Sequence, residues 1–189
     1  MTSSADPVGA SIGSALCTEC GLCCTGALHD FAVLEPEEID VARGMGLTLR
    51  AEGRPGFALP CRFLQQSCCT IYADRPKVCA RYNCGLLEKV EAGSTSLDAA
   101  LATVASAKQF VRRALLTMPA GMTIPAARAL SRQPPIARVD AGARPAEMKL
   151  RLAMTALNLF LDKFFKNSRE GKLLTIEAIT DQRPDTEMR

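Results

Sequence analysis

The stretch Cys17-Thr18-Glu19-Cys20-Gly21-Leu22-Cys23-Cys24 decides how this chain is read. Five further cysteines follow at Cys61, Cys68, Cys69, Cys79 and Cys84, and none of the nine lies outside residues 17–84. A C-x-x-C turn lets two sulfurs converge while backbone N–H groups in the turn point at them, and two such pairs make a tetrahedral sulfur cage for zinc. Gly21 follows Cys20 directly, where a tight turn needs a residue tolerant of positive φ. The interval Cys17-x-x-Cys20-x-x-Cys23 also matches the first three ligands of a bacterial ferredoxin cluster, without that motif's x-x-x-Cys-Pro ending. Neighbouring residues in extended backbone point to opposite sides. Cys23 and Cys24 are therefore expected to serve two ions, or to bracket a dinuclear or cluster site.

Moving outward, Cys61-Arg62-Phe63-Leu64 and Cys69-Thr70-Ile71-Tyr72 flank Gln65-Gln66-Ser67-Cys68, which predicts a hairpin. Period-two alternation puts Cys61 with Phe63 on one face and Cys69 with Ile71 on one face. It turns Cys68 away from Cys69 and makes it the spare thiol. Asp74-Arg75-Pro76 predicts a turn into a short helix carrying Cys79, with Cys84 just past it. Between the two cysteine runs, Ala27–Leu34 predicts a short strand. Glu35-Pro36-Glu37-Glu38 predicts a helix start, with proline at the first helical position and acids at the positive end of the dipole. That helix is expected to stop near Gly44 or Gly46, and residues 47–60 to form a loop with one strand.

In order and interval, these motifs resemble the YkgJ-type cysteine-cluster proteins, a family named for zinc or iron chelation. The front run matches CxxCGxCC, and the back half matches C-x-F-L, C-x-I-Y, R-P-x-x-C and a final cysteine. The resemblance covers about residues 17–87. Carried over position by position, it implies Cys17, Cys20, Cys23, Cys24, Cys61, Cys69, Cys79 and Cys84 as metal ligands and leaves Cys68 outside. The chain departs from the family at Ala80, where an arginine commonly follows the cysteine; here Arg81 comes one place late. The implied cofactor is an iron–sulfur cluster or zinc. Sulfur ligands serve both, so residue type does not decide between them.

With 189 residues, 48% of them hydrophobic, the chain can build a real core. The expected fold class is α+β: a small irregular cysteine-rich metal-binding domain with a short hairpin, followed by a mostly α-helical C-terminal region. The expected organisation is a tail over 1–16, the cysteine-cluster domain over 17–92, a helical region packing on it over 93–180, and a disordered tail over 181–189. In the helical region, Thr95 with Asp98 resembles a capping box. Leu97, Leu101, Val104, Val111, Leu115 and Met118 recur at helical steps, with Lys108 interrupting them, and Met118-Pro119 ends the run. Residues 119–145 hold five prolines and predict a connector with a short helix from Ala126 to about Arg132. A long helix is expected from Pro145 to about Lys166, its apolar residues Leu152, Ala156, Leu159, Phe160, Leu161, Phe164 and Phe165 facing the 97–118 helix or a second copy of the chain. Arg151 and Asp162 leave ten uncharged residues between them, too few for the ~20 of a membrane span.

A net charge of +3 gives no push toward nucleic acid or membranes. Aromatic residues are 5% of the chain, with no tryptophan, so base-stacking platforms are scarce. Residues 1–16 hold no lysine or arginine and no apolar h-region, and a thiol-rich chain without an export signal is expected in the cytoplasm. His29, the only histidine, is expected as a surface or hydrogen-bonded residue rather than a ligand. Arg75, ahead of the Cys79 helix, is favoured as a site cation. Arg62 and Lys77 are expected at the surface, and Glu35, Glu37, Glu38 and Asp40 are explained as first-turn helix acids. The leading function is a metal-binding cysteine-cluster protein, with no catalytic motif found and a metal ion as its first partner. Relatives with the front motif labelled iron–sulfur oxidoreductases, and a flagellin lysine methylase with a related motif, supply the alternative of a redox or methyl-transfer enzyme. No dinucleotide fingerprint, P-loop or C-x-x-x-C-x-x-C radical motif supports it. The second alternative is a zinc-stabilised RNA- or protein-binding module, with partner binding or self-association through the C-terminal helices.

Overall fold

Helix α1 (Ile12–Cys20) opens the computed structural model, which describes residues 12–134 and 144–167. Cys17 and Cys20 are therefore three residues apart on one helix face, not in a free C-x-x-C turn. The reason is burial: Leu16 is 2% exposed in the main core, and that contact holds the preceding turn helical. Gly21 ends the helix at φ 66°, its N–H bonded to the Cys17 carbonyl at 3.2 Å. Cys23 and Cys24 then lie in a tight turn rather than in extended backbone, with Gly26 N–H bonding Cys23 O and Ala27 N–H bonding Leu22 O.

The expected strand is β1 (Phe31–Val33), paired antiparallel with β2 (Gly56–Ala58) in the register Ala32↔Phe57. A 3-10 turn over Pro36–Glu38 leads into α2 (Ile39–Gly44), and Gly46 follows at φ 76°. The hairpin is β3 (Leu64–Gln65) with β4 (Cys68–Cys69), closed by Gln66 and Ser67. It is tighter than expected, and Cys68 belongs to its second strand. Helix α3 (Lys77–Arg81) carries Cys79. Helix α4 (Gly85–Glu91) was not foreseen. Cys84 caps it, its Sγ accepting the Leu87 N–H at 3.4 Å, while Leu86, Leu87 and Val90 turn inward.

Helix α5 (Leu97–Thr117) is capped by Ser96, whose hydroxyl accepts the Ala99 N–H, rather than by Thr95. Its buried stripe is Ala100, Val104, Ala107, Val111 and Ala114. The alanines lie on the packed face, and Leu115, expected inward, is 50% exposed. Thr123 caps α6 (Ile124–Arg132), two residues earlier than expected. Helix α7 (Arg144–Phe164) lies on α5 and buries Leu150, Met154, Leu157, Asn158 and Leu161. Leu152 and Leu159, expected on the packed face, stand outside it. Phe160 stacks between Phe110 and Phe164. The expected tail beyond Thr180 lies outside the described residues, as do residues 1–11 and 135–143.

The fold is α+β with a mostly helical C-terminal region, and two hydrophobic clusters organise it. The larger joins Leu16, Leu22 and Leu28 to α4, α5, α6 and α7. The smaller comprises Leu34, Ala42, Leu47, Phe57 and Leu59 under the β1–β2 ladder. Gly26 couples the cysteine turn to α6. Its φ is 79°, and a Cβ there would meet Pro125 Cδ and Cγ at 2.8 Å. Gly26→Ala is expected to cost about 2 kcal/mol in chemical denaturation, from left-handed backbone strain plus overpacking. An unchanged midpoint would show that α6 does not press on this turn.

Candidate metal centre

Cys17, Cys20, Cys23, Cys24, Cys61, Cys69, Cys79 and Cys84 all line one cavity of about 410 Å³ between the two clusters, and Cys68 does not. The elements explain the convergence. Helix α1 presents Cys17 and Cys20, the turn after it presents Cys23 and Cys24, and the N-cap of α4 presents Cys84. Cys61 opens the hairpin segment, Cys69 lies on β4 and Cys79 on α3. Cys68, on the opposite pleat from Cys69, is exposed and makes a weak contact to the Thr18 carbonyl at 3.8 Å. All nine cysteines are free thiols. Among the described residues, no three of His, Cys, Asp and Glu are already closed around a point that could take an ion.

Burial dominates the thiol chemistry. It pushes Cys20 up to about 12, against a backbone hydrogen bond at Leu22, with the Cys84 and Cys17 thiols adding to the rise. Cys24 also rises to about 12 by burial, then through Cys61, Cys69 and Cys79. Cys79 rises to about 11 by burial and through Cys61 and Cys69, with Arg75 opposing. Burial raises Cys23 well above its ordinary value, and raises Cys17 and Cys61 as well. Below pH 9.0 these thiols hold their protons in both folded and unfolded chains. As pH rises from 9.0 toward 12, the unfolded chain gives up protons that the fold retains, so folding stability falls. In reduced, metal-free protein the helical cluster against which Cys20 and Cys23 pack is expected to melt at a lower temperature at about pH 10 than at about pH 8. A melting point that rises over that window would contradict the burial.

The surroundings separate site residues from surface ones. Arg75 lines the cavity, stacks over Tyr72 with its guanidinium carbon 3.6 Å from the ring centroid, and donates to the Tyr72 carbonyl. Its Nε is buried with no hydrogen-bond partner among the described residues, and its charge acts on both Cys17 and Cys79. Arg62 bonds the Gly46 carbonyl on the exposed side. Lys77 pairs with Glu35 and Glu37, and Glu38 accepts the Lys77 N–H at 2.8 Å, so these acids tie α3 to the 3-10 turn. His29 lines the cavity and packs edge-on against Tyr82 at 4.7 Å.

Two residues escaped the sequence reading. Lys108, read only as an interruption, donates to Ser67 Oγ at 2.9 Å and lowers the Cys20 thiol. Arg128, on α6, is fully buried and donates to the Gly26 and Ala27 carbonyls, to Asn158 and to Asp30. It pins the turn that follows Cys24. Only its place in an otherwise apolar helix face, beside Ile124 and Ala127, hints at burial.

An all-sulfur donor set around one cavity fits the chemistry of zinc and of iron–sulfur centres. Residues 16–96 match the CxxCxxCC family, described as a "Putative zinc- or iron-chelating domain". The match covers less than half of the chain, and α5, α6 and α7 lie beyond it. No curated protein and no solved structure matches the chain. Among the described residues, no helix is long and apolar enough to cross a membrane.

Proposed function

We propose, taking residues 16–96 as a zinc- or iron-chelating cysteine-cluster domain, that the eight cavity thiols are the ligands of an iron–sulfur or zinc centre and that the helical region is its scaffold. The observation that carries this reading is selective: eight of nine cysteines line the cavity, and the ninth is the one whose pleat turns it out. Bound metal would draw the eight thiols inward and replace their protons, so loading is expected to weaken as pH falls. Arg75 supplies positive charge beside thiolates that leave a divalent ion net negative.

Iron, zinc and acid-labile sulfide should be measured on protein purified without air. An iron–sulfur centre is expected to bring an absorption band near ~400 nm that bleaches with dithionite; zinc brings no such band. Protein that contains neither metal as purified yet keeps residues 31–81 protected from hydrogen exchange would overturn the proposal.

A further inference from the structure

We propose that the eight thiols form two four-cysteine centres: Cys17, Cys20, Cys23 and Cys84 hold one, and Cys24, Cys61, Cys69 and Cys79 hold the other. This inference rests on the metal-binding function proposed above. Each centre takes a tetrahedral zinc-type ion or an iron–sulfur cluster, for either of which four thiolates complete the ligand set.

The division follows the backbone. The first set comes from α1, the first part of its C-terminal turn and the N-cap of α4. The second comes from the far side of the same turn, the hairpin and α3. It also follows the packing. Cys20, Cys23 and Cys84 lie against the large helical cluster, whereas Cys61 and Cys79 lie against the small β-side cluster. Cys23 and Cys24 are neighbours in sequence but part company here. The Cys61 N–H donates to the Cys24 carbonyl at 2.8 Å and ties Cys24 to the second group.

Two such centres side by side would concentrate negative charge. Arg75 lines the cavity that both sets share, with its guanidinium held over Tyr72, and supplies positive charge there. The first set joins a CxxCxxC run to one remote cysteine. The second takes its four thiols from separate segments, so the two can differ in metal and in order of loading.

Native mass spectrometry of anaerobically purified protein tests the division. Wild-type protein is expected to carry two centres. Cys17→Ser with Cys84→Ser, and separately Cys61→Ser with Cys79→Ser, should each keep one centre and about half the metal, while Cys68→Ser keeps both. A double variant that retains the helical far-UV spectrum but no metal would mean one shared polynuclear centre and overturn the division. So would wild-type protein that saturates at one centre. Because a variant can fail to fold, half-stripped wild-type protein should also be alkylated and peptide-mapped. Label confined to one set of four supports the division, and label spread over both sets overturns it. Wild-type protein with no metal at all instead removes the function on which this inference rests.

Discussion

Arg128→Met is expected to lower the unfolding free energy by about 3 kcal/mol, a far larger change than its place on a short helix suggests. Methionine keeps much of the apolar stem but leaves the Gly26 and Ala27 carbonyls and Asn158 Oδ1 without their donor in the core. The Asp30 pair adds less. Asp30 is 42% exposed, and water can replace the guanidinium at that carboxylate. Burial pushes the Arg128 pKa down and Asp30 opposes it; a guanidinium keeps its charge in proteins. Asp30→Asn should therefore cost much less than Arg128→Met. Urea denaturation of the two variants checks the order. Equal, small effects would show that the carbonyl contacts contribute little. Because those carbonyls belong to the turn after Cys24, Arg128→Met should also release metal to a chelator faster than wild type.

Removing the metal is expected to have the largest effect of any treatment, and an uneven one. The β-side cluster has five buried residues, and its ladders are three and two residue pairs long. Ladders of this size are marginal alone, and the free energy of metal binding in small thiolate domains is about 10–16 kcal/mol. Residues 31–81 should lose hydrogen-exchange protection when a chelator strips reduced protein. The larger cluster draws on α4, α5, α6 and α7 and should keep those helices protected. Unfolding would then occur in two stages. Equal protection with and without metal would show that the small cluster stands unaided.

What the sequence could disclose follows from range. The cysteine intervals, the hairpin around Gln65–Ser67, the proline-led turn at Glu35-Pro36 and the Arg75-Pro76 entry to α3 are local patterns, and the structure contains each of them. The outward turn of Cys68 was also legible, because strand alternation alone dictates it. Non-local packing hid the rest. The Cys17–Cys20 segment is helical with Leu16 buried in the distant core, and the turn after Cys24 is held by Arg128 of α6 through the Gly26 and Ala27 carbonyls. The α5 stripe centres on alanines because α1, α4 and α7 all pack on this helix, a preference visible only once the partner helices are known. Arg128 was hidden because a basic residue on a helix normally reads as surface, and the carbonyls that justify its burial lie about a hundred residues away.

Differential alkylation of anaerobically purified protein tests the central claim most directly. If the eight cavity cysteines are metal-bound, an alkylating reagent should modify Cys68 rapidly and the other eight only after chelation. Cys17 is the sharpest control, since its residue is exposed, like Cys68, and burial shields it less than it shields Cys20 or Cys23. Modification of Cys17, Cys61 and Cys69 at the rate of Cys68, before any chelator is added, would contradict the account.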